Sequence, residues 1–222
     1  MVTFVRKSLN DDKSNIRGSD KMVKSVDLLN KIKVILGKDD ILEEDLNNIE
    51  ELTINKYKLN GKETDIDLEE LKFFKNLKTL TLIKFKIDLN IIEKINDNKH
   101  LWAIQFSKCD FQRVLPINQK INYVVLDCCE NVNLEFINNN ETVKIIGTEV
   151  DLIQLKQMEN IETLYLQDCK IKNVIEILQC SKLKKLNLDG SKIDNKDILK
   201  KLNKNIAVSC KEVYHLVGGI NI

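Results

Sequence analysis

Six cysteines and two histidines are the side chains here best suited to nucleophilic, redox or metal chemistry. The cysteines are Cys109, Cys128, Cys129, Cys169, Cys180 and Cys210; the histidines are His100 and His215. A metal site would start from the adjacent Cys128 and Cys129, but no CxxC pair supplies the spacing that closes one. Filling of interior space is the reading these thiols favour, so six reduced, metal-free cysteines are expected. His100 sits just before an apolar run and reads as a turn residue rather than an acid-base group. Glu43, Glu44 and Asp45, and likewise Asp65 and Asp67, fall where helices are expected to start, where the helix dipole favours carboxylates. No GxxxxGK[ST], GxGxxG or HExxH motif occurs. The expectation is a protein with no catalytic residue, no cofactor and no metal.

Composition narrows the class further. The 222 residues carry 35 basic and 34 acidic side chains, a net charge of +1, so no global field draws the chain to nucleic acid or an anionic membrane. With 43% apolar residues the chain can build a continuous core. The first twenty residues lack the apolar stretch of a signal peptide, and no run approaches the ~20 apolar residues of a membrane span. Together with the cysteine pattern this leads to an expected cytoplasmic location. Asn140 and Thr142 formally match a glycosylation acceptor, which is a coincidence in that setting.

The elements that position these groups are visible as a repeat. IETLYLQDCKI places Ile161, Leu164, Leu166 and Ile171 at positions 1, 4, 6 and 11, with Cys169 at position 9. LKKLNLDGSKI repeats this from Leu183, and matching segments begin at Ile49, Leu77 and Leu101. Weaker copies begin at Ile121, Asn140 and Asn203. The eight starts are separated by 28, 24, 20, 19, 21, 22 and 20 residues. Positions 4 and 6 alternate with polar neighbours, the period of a short half-buried strand that must stack on its neighbours to be stable. Between strands, Asp67 with Glu70, Asn90 with Glu93, Asp151 with Gln154 and Asn173 with Glu176 read as helix-start signals. The intervals 111–120, with Pro116, and 132–140 are too short for a proper helix and should be extended or a turn of 3₁₀.

This pattern resembles the leucine-rich-repeat family, whose unit reads LxxLxLxx(N/C)xL, over roughly residues 49 to 213. Position 9 departs from it: Tyr57, Phe85, Cys109, Cys129, Thr148, Cys169, Ser191 and Lys211 stand where the family keeps an asparagine ladder. The resemblance implies an α/β leucine-rich-repeat solenoid, or horseshoe, with a parallel concave sheet and short helices or 3₁₀ turns on the convex side. Internalin-type bacterial repeats are similar in repeat length only. Residues 1–20 are expected to be a flexible tail, 21–48 a helical cap, 49–213 the solenoid and 214–222 a closing segment. In the cap, Val26, Leu29, Ile32 and Ile35 or Leu36 lie along one helical face that ends at Gly37.

Positions 3, 5, 7 and 8 then project from the concave face. Tyr123, Val125, Ile146 and Tyr165 fall on three neighbouring strands as an aromatic and apolar patch, with Trp102 at its edge. Lys56, Lys84 and Lys108, flanked by Lys58 and Lys86, form a basic edge at position 8. The expected function is a non-catalytic protein-protein interaction module that grips another protein through the concave face. The alternatives are anion or nucleic-acid binding through the Lys56, Lys84 and Lys108 edge, or the targeting subunit of an enzyme complex.

Overall fold

The computed structural model describes residues 23, 25–56, 58–59, 62–63, 68–112, 121–137 and 140–211. Eight short strands run parallel in one sheet, and their spatial order is their chain order. They are β1 (Glu51–Asn55), β2 (Thr79–Ile83), β3 (Ala103–Ser107), β4 (Tyr123–Asp127), β5 (Thr142–Ile146), β6 (Thr163–Gln167), β7 (Lys185–Asn187) and β8 (Ala207–Ser209). The first seven bury the two aliphatic or aromatic side chains of positions 4 and 6, whereas in β8 Val208 is exposed. In β6 these are Leu164 and Leu166, at 1% and 0% exposure. A side chain of that size contributes roughly 1.5–3 kcal/mol when removed from water. No strand buries enough alone, so the stack forms one continuous core from Val23 to Ile198.

The register follows the repeat. Thr53, Thr81, Gln105, Val125, Lys144, Tyr165 and Asn187 are successive partners along position 5. The eighth repeat is the exception: Ala207 pairs with Lys185 and Ser209 with Asn187, so this repeat begins at Asn205, two residues beyond the expected start. A strand has a period of two, so a two-residue slip keeps the same side chains facing inward and leaves the pattern unchanged.

The convex side is mostly 3₁₀ rather than α-helix. One regular helix, α3 (Leu89–Asp97), follows β2; the others are 3₁₀ turns at Leu68–Phe73, Leu134–Ile137, Leu152–Gln157, Val174–Gln179 and Lys196–Lys201. The turn at 134–137 is the single 3₁₀ turn expected of 132–140, while 113–120, with Pro116, lies outside the described residues. The helix starts differ in detail. Asp88, not Asn90, caps α3 by accepting from the Ile91 N–H at 3.0 Å. Asp151 caps its turn as expected, accepting from Ile153 N–H at 3.1 Å, whereas Gln154 reaches across the stack to accept from Leu134 N–H at 2.8 Å. Asn173 makes no cap: Asp194 of the following repeat accepts from the N–H groups of Asn173 and Val174 instead. Asp67 lies outside the described residues.

Before β1, α1 (Val26–Leu36) and the single turn α2 (Glu43–Leu46) contribute Leu28, Ile32 and Leu46 to the same core. Leu28 and Ile32 are buried, Leu29 and Leu36 pack at the margin, and Gly37 ends α1 in the left-handed region at φ 67°. Val26 and Ile35 face outward, a correction to the expected face. Ser25 N–H donates to the buried Glu70 Oε1 at 3.0 Å, and the Ser25 hydroxyl accepts from Leu28 N–H at 3.3 Å.

The turn after each strand explains the cysteines. Position 8 is left-handed in six successive repeats: Lys84, Lys108, Cys128, Gly147, Asp168 and Gly190 have φ between 50° and 73°. Its N–H continues the ladder, as from Lys108 to Asp127 C=O at 2.8 Å. Position 9 then turns inward. The thiols of Cys109, Cys129 and Cys169 donate to the carbonyls of Leu82, Phe106 and Ile145 in the preceding strand, and the Ser191 hydroxyl does the same to Leu166. Thiols and a hydroxyl therefore do what asparagine does in the consensus repeat. The Cys129 thiol beside Cys109 holds Cys109 below the ordinary thiol range, while the same contact and burial push Cys129 up. Burial alone raises Cys180 to about 11.

Candidate functional site

The outward positions of the sheet carry mostly short neutral side chains, Thr79, Thr142 and Thr163 at position 3 and Thr53, Thr81 and Gln105 at position 5, interspersed with Glu51, Lys144 and Lys185. Against this low background the aromatic residues stand out. Trp102, 54% exposed, precedes β3 and stacks on Tyr123 of β4, with centroids 6.5 Å apart and planes inclined by 18°. Backbone bonds hold the main chain at both residues: Trp102 N–H donates to Lys78 C=O at 2.8 Å, and Trp102 C=O accepts from Tyr123 N–H at 3.3 Å. Tyr165 is half-buried on β6, with Lys185 Nζ 5.2 Å above its ring. A cation over an aromatic face is attractive by about 0.5–1 kcal/mol at an exposed site.

Val125 does not contribute surface. It is 7% exposed, because Gln105 and Lys144 flank it along the row and Tyr123 and Asp127 along its strand. It forms the floor between the tyrosines. Ile146 is half-buried at the far end of β5, between Asp127 and Gln167. Asp127 accepts from the Ser107 hydroxyl at 2.8 Å.

The basic edge lies apart from the aromatic patch. Lys84 and Lys108 are exposed and Lys56 is half-buried. They follow their strands, whereas Trp102 precedes its own, so a full strand of about 17 Å separates them. Lys84 and Lys108, unlike Lys56, sit at the left-handed turn, and the column continues as Cys128, Gly147, Asp168 and Gly190. The common property of that column is backbone conformation, not charge. The side chains of Lys58 and Tyr57 lie outside the described residues, as does His215.

The opposite rim was not singled out in the sequence. There Lys75, Lys78, Lys99 and His100 gather beside Trp102, from the segments leading into β2 and β3. Lysine and histidine immediately before two consecutive strands were the available signal. Among the described residues, no cluster of three or more His, Cys, Asp and Glu is placed to hold a metal ion. No described helix is long and apolar enough to cross a membrane.

No protein-family model and no curated protein matches the sequence. Among solved structures, the chain is similar in shape to internalin C2 from Listeria monocytogenes, with a TM-score of 0.55 and 17% identity over 86% of this chain and 96% of that one. The fold is a leucine-rich-repeat solenoid. An internalin F from the same organism also aligns, with a TM-score of 0.34 and 13% identity over 87% of this chain and 78% of the other. In the leucine-rich-repeat frame, Trp102, Tyr123 and Tyr165 lie on the concave side, and Ile153, Ile175 and Leu178 are exposed on the convex 3₁₀ turns.

Proposed function

We propose that this leucine-rich-repeat chain is a non-catalytic interaction module that holds a partner protein against its concave strand face. One observation carries the reading: Trp102 and Tyr123 are stacked and backbone-fixed before any partner arrives. A prearranged aromatic pair loses little rotamer freedom on binding, which is how a few aromatic residues come to dominate an interface. Tyr165 adds a second anchor about 10 Å away, two strand spacings along the sheet. Between the two tyrosines lie Val125, Thr142 and Lys144. The buried thiols are engaged with backbone carbonyls, which supports a structural role over a nucleophilic one. Six unpaired cysteines support residence in a reducing, cytoplasmic compartment.

Site-specific photo-crosslinking in the native cell tests this. A crosslinker replacing Tyr165 should trap one partner, while one replacing Ile175 on the convex side should not. Equal yields from the two sites would contradict a concave binding face.

A further inference from the structure

We propose that the rim beside Trp102 is a cleft for a short acidic segment of the partner, a few consecutive Asp or Glu side chains. This rests on the interaction-module reading and assigns chemistry to one part of that contact.

Two cavities of about 280 and 460 Å³ adjoin at His100. The larger is bounded by Glu50, Lys78 and Trp102; the smaller by Lys72, Lys75, Lys94 and Lys99, with Asp97 opposing them. Several of these cations are already occupied. Lys94 pairs with Glu69 at 2.7 Å, Lys78 with Glu50 at 2.7 Å, and Lys75 loosely with Glu43 at 3.7 Å. Among the described residues Lys72 and Lys99 have no ion pair, although Lys72 Nζ lies 5.2 Å over the Phe73 ring. The wall behind them is apolar: Leu71 and Phe74 line the cavity and are themselves buried. A low-dielectric wall behind Lys72 and Lys99 strengthens their field toward the opening.

The field is local. Along the same rim, the residues equivalent to Lys78 and Trp102 on the next three strands are Asn122, Glu141 and Glu162. An anionic ligand therefore meets lysines over two repeats and glutamates beyond them, of which Glu162 pairs with Lys184 at 2.7 Å. That profile fits a short run of carboxylates in a partner that continues onto the neutral concave face. It disfavours a nucleic-acid strand, whose evenly spaced phosphates would continue into Glu141 and Glu162.

The test uses the full chain and fluorescence anisotropy with three labelled probes: a peptide with four consecutive glutamates in a Gly-Ser frame, the same peptide with four glutamines, and a single-stranded oligothymidylate. The glutamate peptide should bind at least tenfold more tightly than the other two, and salt should weaken it. Lys75→Glu with Lys99→Glu should lower its affinity at least tenfold, and Lys99→Gln alone should lower it measurably. Lys84→Glu with Lys108→Glu, the same charge change at the other edge, should have little effect. Equal binding of the glutamate and glutamine peptides, preference for the oligothymidylate, or indifference to the Lys75 and Lys99 variants would overturn the cleft. If the cleft fails while the Tyr165 crosslink persists, the interaction-module reading stands without it.

Discussion

The indole of Trp102 lies almost parallel to the phenol ring of Tyr123, 6.5 Å between centroids, across the junction of two successive repeats. One face of the indole is thereby shielded and the remainder is open to solvent. Trp102 is the sole tryptophan, so its fluorescence reports on this contact alone. Tyr123→Ala should raise the acrylamide quenching constant of the protein, and Tyr123→Phe should leave it near the wild-type value. Identical quenching in Tyr123→Ala and wild type would mean the rings are not stacked in solution.

Backbone conformation at position 8 makes a separate prediction. A Cβ on Gly190, at φ 73°, would lie 2.0 Å from Asp168 Oδ1, so Gly190→Ala combines an unfavourable dihedral with a contact that must move. It should destabilise the fold by more than about 1 kcal/mol. Lys84 and Lys108 occupy the same conformation at φ 63° and 53°, so Lys→Gly at either should leave the melting temperature unchanged or raise it slightly. A large loss on Lys108→Gly would show that the lysine side chain, not the turn, matters for stability.

The solenoid was legible because positions 4 and 6 are aliphatic or aromatic in nearly every repeat, and only stacking can bury such short strands. The inward thiols at position 9 were legible for the same reason. The eighth repeat was not, since a two-residue slip preserves the face of Ile206 and Val208. Val125 was read as exposed because its place on the concave side follows from parity, while its burial depends on the lengths of Gln105 and Lys144 in other repeats. The inner face of α1 was displaced because its packing involves distant residues such as Glu70, bonded to Ser25 from 45 residues away, which a local period does not record. The lysine rim depends likewise on two loops meeting in space, which no local period records.

The thiols should divide into two classes. Cys128 and Cys210 are exposed, while Cys109, Cys129, Cys169 and Cys180 are buried. Native protein should react with a thiol reagent rapidly at two sites and at the other four only on unfolding. Rapid labelling of more than two would contradict the inward turn.

Burial of Cys180 also couples stability to alkaline pH. Its folded value of about 11 lies above the ordinary 9.0, so the folded chain favours the neutral thiol. The associated stability is fully present below pH 9.0 and is lost progressively as pH rises toward about 11. Cys180→Val should therefore flatten the decline in melting temperature across that window. An unchanged alkaline slope would place the Cys180 thiol in contact with water.

The concave aromatic face is tested most directly by the affinity of the crosslinked partner for wild type and for Tyr123→Ala with Tyr165→Ala. Leu164→Ala serves as the folding control: its side chain is 1% exposed, and its loss should cost roughly 2–5 kcal/mol of stability. The tyrosine double variant should instead melt within a few degrees of wild type, because both rings are only half-buried. Its binding should weaken by at least about 2 kcal/mol, roughly thirtyfold. Undiminished affinity in the folded double variant would contradict the concave face as the binding site.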